Sequence, residues 1–192
     1  MDELQRYYKE SLLANLCNEY KGYWQKAHGD KEKLMRLVLR QQCAAHFADF
    51  CYRGKGLTKE YCKREFANYI NGRIFNDCDN VKGYTYGMFI DATTVTKMTV
   101  DVTQFLWCNT DVSIAQTKCP RLYVSNSSNI RLVLEGYNTI SIYLFDNSKL
   151  VIDDANDTCS IIVYKYSDKA SVDIGKYCTT QNLKVFQKEL RL

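Results

Sequence analysis

RLYVSNSSNIRLVLEG (residues 121–136), SIYLFDNSKLVIDDAN (141–156) and IIVYKYSDKASVDIGK (161–176) start twenty residues apart and share few letters. What they share is a rhythm. In each, two short runs rich in Val, Ile, Leu and Tyr alternate apolar and polar positions, with Ser, Asn or Asp at a bend between them. That is the pattern of half-buried β-strands. Stepping along the chain by twenty keeps the columns. Val102, Leu122, Ile142 and Ile162 form one apolar column, and Val112, Leu132, Ile152 and Val172 another. Ile130, Leu150 and Ala170 form a third. Ile114, Leu134 and Ile174 align in a fourth, interrupted by Asp154. Cys108, Ser128, Ser148 and Asp168 are small or polar, as a bend requires.

A fixed period carrying two strand-and-bend units marks a solenoid, in which each coil stacks its inward residues on those of the coils beside it. An antiparallel sandwich has no reason to hold a constant step of twenty. The expected architecture is therefore a single-stranded β-helix of about four rungs between Val95 and Tyr177. No rung of this size folds alone, because its apolar side chains do not offset the entropy of ordering its backbone. Both open ends then need covers. The closing NLKVFQKELRL (182–192) falls out of the twenty-residue register and reads as a final strand or cap.

Before the solenoid the period is helical. In the first 27 residues, Leu4, Tyr7, Tyr8, Leu12, Leu16, Tyr20 and Trp24 recur at three- and four-residue steps. Gly29 is the expected terminator of this helix, and Asp30 the N-cap of a second carrying Leu34, Leu37, Val38, Cys43, Phe47 and Cys51. The glycines of RGKGLTKE (53–60) stop the second, Thr58 caps a third, and Asn71-Gly72 ends it. The fold class is thus α+β, with an N-terminal helical bundle over 1–75, a connector or first strand over 76–93, and the β-solenoid with its C-terminal cap over 94–192.

The chain has 192 residues, of which 46% are hydrophobic, enough for a packed core. No run approaches the ~18 apolar residues of a membrane span. The N-terminus carries acids and an amphipathic pattern rather than the basic-then-apolar run of a signal peptide. The expectation is a soluble protein of the cytoplasm or of a virion, with no membrane partner. The nine cysteines are odd in number and scattered, without a CxxC pair, so they read as buried free thiols rather than a disulfide framework. Cys43, His46, Cys51 and Cys62 fit no common zinc spacing and are better explained by helix packing. DDANDT (153–158) gathers carboxylates at a turn, which solenoid bends commonly do without binding a cation.

No GxSxG, HExxH, P-loop or GxGxxG motif is present, and the only histidines, His28 and His46, fall in the helical part. Pectate-lyase-like β-helices use longer and more numerous coils, and hexapeptide acyltransferases a six-residue repeat. The expectation is no enzyme, no cofactor and no small-molecule substrate. Two other classes of function remain. Tyr123, Tyr143 and Val163 share a column expected to face outward, with Phe145 and Ile161 on the same side. A strand apolar on both faces is covered on both. The cover is either the N-terminal helices or a protein partner, including another copy, as in a trimer. The alternative is nucleic acid. All the basic excess lies in residues 1–75, with 14 Lys and Arg against 9 Asp and Glu. Lys55, Lys59, Lys63, Arg64 and Arg73 gather around the third helix, although Glu60 and Glu65 lie among them.

YWQKAHGDKEKLMRLVLRQQC, NGRIFNDCDNVKGYTYG, QTKCPRLYVSNSS, YLFDNSKLVI and FQKELRL together resemble small proteins encoded by phages (crAss-like type) and integrated elements of gut bacteria. The likeness runs along the whole chain and brings no catalytic or binding residues with it. It implies a phage context and a virion, adaptor or assembly module built as a helical head on a short β-solenoid.

Overall fold

Two spacings of apolar residues become two kinds of element. In the computed structural model, residues 2–13, 18–38, 56–66, 74–75, 78–93, 95–114, 120–135, 139–154, 159–176 and 182–189 are described. Among the described residues four helices come first: α1 (Glu3–Leu13), α2 (Asn18–Ala27), α3 (Lys31–Val38) and α4 (Lys59–Phe66). Gly29 sits at φ 77° between α2 and α3, and the Asp30 carboxylate accepts the Lys33 N–H at 3.1 Å, as an N-cap does. Thr58 caps α4 by accepting the Tyr61 N–H at 3.2 Å, while its own hydroxyl donates to the Glu3 carboxylate at 2.9 Å. That bond ties the start of α4 to the start of α1. Leu4, Tyr7, Trp24, Leu34, Leu37 and Tyr61 share one buried cluster, in which Trp24 stacks on Tyr8 at 4.7 Å. The same cluster takes in Met88, Ile90 and Leu106, so the helices pack on the outside of the first strands of the sheet.

All described strand pairs are parallel: β1 (Ile74–Phe75), β2 (Cys78–Ile90), β3 (Val95–Leu106), β4 (Asn109–Ile114), β5 (Arg121–Ser125), β6 (Asn129–Leu134), β7 (Thr139–Leu144), β8 (Lys149–Asp154), β9 (Ser160–Lys165), β10 (Ser171–Ile174) and β11 (Leu183–Gln187). They form a β-solenoid. One wall stacks β4, β6, β8 and β10, the other β5, β7, β9 and β11, and β3 is long enough to join both. The coils β4–β5, β6–β7, β8–β9 and β10–β11 make about four turns. The first described strand, β1, starts at Ile74, and β2 lies in the segment read as a connector or first strand.

The interior is a ladder of fully buried aliphatics: Val112, Leu132 and Ile152 on one wall, Leu122, Ile142 and Val163 on the other. Tight corners need left-handed backbone, and Asp91, Trp107, Asn126, Ser127 and Asp146 supply it at φ 48–59°. Of the small or polar corner column, Cys108, Ser128 and Ser148 are buried and Asp168 is exposed. Ser128 Oγ accepts the Cys108 N–H at 3.0 Å and donates to the Ser125 carbonyl at 2.6 Å. Asp146, also buried, accepts the N–H groups of Asn126 and, at 2.9 Å, of Ser127 in the coil before it. Burial pushes this carboxyl above its usual range despite those donors. Cys62, Cys108 and Cys159 are buried thiols, and burial pushes that of Cys108 up to about 12.

The register departs from a constant twenty at both ends. Thr103 pairs with Leu122, a step of 19, which turns Val102 outward. Ile142 pairs with Val163, a step of 21, and Ile161 with Leu183, a step of 22. Ile161 and Val163, expected on the outer flank, are thus interior residues, 1% and 0% exposed, and Ile162 turns out. The cause is the composition of β9. Its other parity would bring Tyr164 inside, where the hydroxyl finds only apolar neighbours. The final strand, β11, appeared out of phase in the sequence for the same reason.

Candidate interaction face

The two walls differ on their outer sides. Along β4, β6 and β8 the outward residues are mostly polar and bonded across coils. Asn129 Nδ2 donates to Asn109 Oδ1 at 3.1 Å, Ser113 Oγ to Glu135 Oε1 at 2.5 Å, and Arg131 Nη2 meets Asp153 Oδ2 at 2.7 Å. Such pairings suit a solvated strand face. Asp153 is nonetheless buried, because Gly175 lies against it. A Cβ at Gly175 would sit 1.5 Å from Asp153 Oδ1, so any larger residue there must displace that carboxylate. Asp154 and residues 155–158 of the acidic turn have side chains outside the described residues.

Along β5, β7, β9 and β11 the outer side is aromatic. Parallel, in-register pairing sets Tyr123 on Tyr143, Tyr143 on Tyr164, and Tyr164 on Phe186. Their rings stack at 4.6, 5.2 and 5.8 Å between centroids. Beside this ladder, Phe145 stacks on Tyr166 at 5.1 Å, and Lys188 Nζ lies 5.7 Å from the Tyr164 ring centre. Exposure rises toward the C-terminal coils. Tyr123 is 6% exposed and Phe145 buried, Tyr143, Tyr164 and Tyr166 are half-buried, and Phe186 is 43% exposed. Burial pushes the Tyr123 phenol up to about 12 and raises those of Tyr143 and Tyr166.

Chemically, the ladder presents ring edges and tyrosine hydroxyls. The ring faces are occupied by one another, so the flat platforms on which sugars stack are not offered along its middle. Amphipathic edges of this kind are the material of protein interfaces.

Of the expected flank residues, the structure brings Tyr123, Tyr143 and Phe145 together on this face and sends Ile161 and Val163 to the core. Tyr164, Tyr166 and Phe186 belong to the face and were missed, because a constant step of twenty puts them in the wrong phase. Tyr123 and Phe145 pack with Val102 in a cluster separate from the one that holds the helices.

The basic residues fare differently. Lys55 and Arg73 lie outside the described residues, as do Cys43, His46 and Cys51. Lys59 and Lys63 both point at Asp91, at 3.1 and 2.6 Å, and hold its carboxyl below the usual range, with the Lys63 hydrogen bond the largest cause. Arg64 pairs with Glu65 at 3.0 Å and lies over the Tyr61 ring. Three of the five cations are therefore engaged in linking or bracing α4. Among the described residues no group of three or more His, Cys, Asp or Glu side chains is placed to hold a metal, and no helix is long and apolar enough to cross a membrane. Comparison with protein-family models, with curated proteins and with solved structures gives no match.

Proposed function

We propose that the protein is a non-catalytic structural and interaction module, a rigid β-solenoid with a helical head that docks a protein partner on its aromatic wall. The observation that carries this reading is the continuous ladder Tyr123–Tyr143–Tyr164–Phe186, set on an outer face whose counterpart on the other wall is polar. Parallel stacking holds the rings rigidly, so a partner meets them with little further loss of side-chain entropy. The phage resemblance of the sequence supports a place in a virion or its assembly, in the host cytoplasm or the particle. The carboxylates of Asp91 and Asp153 are tied to cations, which is the arrangement of a brace rather than of a general acid or base. Nucleic-acid binding by the helical head is the weaker reading, since Lys59 and Lys63 share Asp91.

The test uses tagged wild-type protein and a Tyr164→Ser, Tyr166→Ser variant to capture proteins from source-cell or phage lysate, with mass spectrometry of the eluates. The variant removes two half-buried rings and spares the buried Tyr123 and Phe145, whose loss would confound binding with folding. A specific protein retained by the wild type and absent with the equally folded variant is the expected result. Identical eluates overturn the assignment of this wall.

A further inference from the structure

Among the described residues, β10 pairs only with β8 and β11 only with β9, so both carry an unpaired backbone edge. Their inward side chains continue the interior ladder and then stop. Ile174 pairs with the fully buried Ile152 yet is 39% exposed, and Val185 pairs with the fully buried Val163 yet is 47% exposed. Edges of this kind are commonly guarded by lysine. Lys184 on β11 serves that purpose against another β11, but β10 presents an acid, Asp173, on the same outer side.

We infer that the C-terminal coil docks end to end on the same coil of a second copy of this chain, with β10 of each pairing antiparallel to β11 of the other. Geometry leads to this arrangement. A coil that closes on itself runs its two strands in opposite senses on opposite walls. A two-fold axis along the strands therefore brings β10 against β11 of the partner, antiparallel and with outer faces on the same side. In one register every position then agrees. Val172 meets Val185 and Ile174 meets Leu183 on the core side, while Asp173 meets Lys184 and Ser171 meets Phe186 outside. The other two-fold, β10 on β10 and β11 on β11, brings Asp173 toward Asp173 and Lys184 toward Lys184. The charges select the first. The dimer contact uses the strand edges of β10 and β11 and meets the aromatic wall only at Phe186, so loss of Tyr164 and Tyr166 leaves its charge pairs in place.

The experiment is sedimentation equilibrium of the 192-residue protein from micromolar to submillimolar concentration. A wild-type mass tending to twice 22.3 kDa is expected. Asp173→Lys sets like charges opposite each other at two symmetry-related places and should weaken the dimer roughly tenfold or more. The double variant Asp173→Lys, Lys184→Asp should recover the wild-type constant. Both residues are exposed, so their replacement leaves the monomer folded. A wild type that stays monomeric throughout overturns the inference. So does a dimer indifferent to Asp173→Lys, or one that the double variant fails to restore.

Discussion

Asp146 is a buried carboxylate that holds one corner of the solenoid to the next, and replacing it with Asn isolates that role. Asn matches the shape of Asp and tolerates the left-handed φ of 48° at this position, so the backbone has no reason to move. Its amide keeps a single acceptor oxygen. In the native corner the carboxylate accepts the N–H groups of Asn126 and Ser127 and the Ser148 hydroxyl at 2.9 Å. In the variant one backbone N–H must face an NH2 group. If the exposed Ser127 N–H turns to water, the loss is a charge-assisted bond, about 1 kcal/mol; if the buried Asn126 N–H is orphaned, it approaches about 3 kcal/mol. For a chain of this size that lowers Tm by roughly 3–10 °C. Urea unfolding followed by far-UV circular dichroism should show the midpoint falling with an unchanged m-value. An Asn variant within about 0.5 kcal/mol of wild type would mean that the corner amides find other partners and that Asp146 is not the staple proposed.

Four further outcomes follow from named contacts. Val163→Asp buries a charge in the interior and should cost more than about 3 kcal/mol, whereas Ile162→Asp on the outer side should cost less than about 1; equal costs in chemical denaturation would contradict the 21-residue step. Gly175→Ala must displace the Asp153 carboxylate from Arg131 and should cost about 1–3 kcal/mol; a double-mutant cycle with Asp153→Ala should show clear coupling, and strict additivity would refute the contact. Leu132→Ala, in the fully buried mid-ladder, should cost about 2–5 kcal/mol in urea unfolding, and a smaller loss would argue against a close-packed interior. Asp91 has a folded-state pKa below the ordinary 3.8, so its stabilising contribution is present above that value and is lost as pH falls below it through the folded pKa. Asp91→Asn should remove that acid-labile part, under about 1 kcal/mol for so exposed a cluster, and unchanged acid dependence of the unfolding free energy would refute the assignment.

The middle of the solenoid was legible because its steps are uniform. Ile130 on Leu150, Leu132 on Ile152, and Leu122 on Ile142 pair as the twenty-residue columns require. The caps at Asp30 and Thr58 were legible for a local reason, since an N-cap needs only its own side chain and the next turn. The ends of the solenoid were not. A one-residue change of step turns every side chain of a strand over, and loop length alone does not reveal it. The aromatic face was half legible. Tyr123, Tyr143 and Phe145 lie within the uniform coils, while Tyr164, Tyr166 and Phe186 lie beyond the change of step. The pairing of Lys59 and Lys63 with Asp91 joins positions about thirty residues apart and has no local signature.

The irregular step and the aromatic wall have a common origin in β9. SIIVYKY (160–166) is apolar at both parities, so the hydrophobic pattern permits either register. What decides between them is shape and hydrogen bonding. Ile161 and Val163 fill a narrow two-walled interior without polar atoms, and Tyr164 does not. Taking the aliphatic pair inside requires one additional residue between β7 and β9, and that residue places Tyr164 over Tyr143 instead of Val163. A coil kept at twenty would have ended the ladder at Tyr143 and left Val163 as its outer neighbour. The extra residue therefore satisfies the core and extends the stacked rings to β11, where Phe186 stacks on Tyr164. The interior needs only Ile161 and Val163 from β9; the rings carried outside across the change of register add nothing to it, and they are the feature on which the proposed docking role rests.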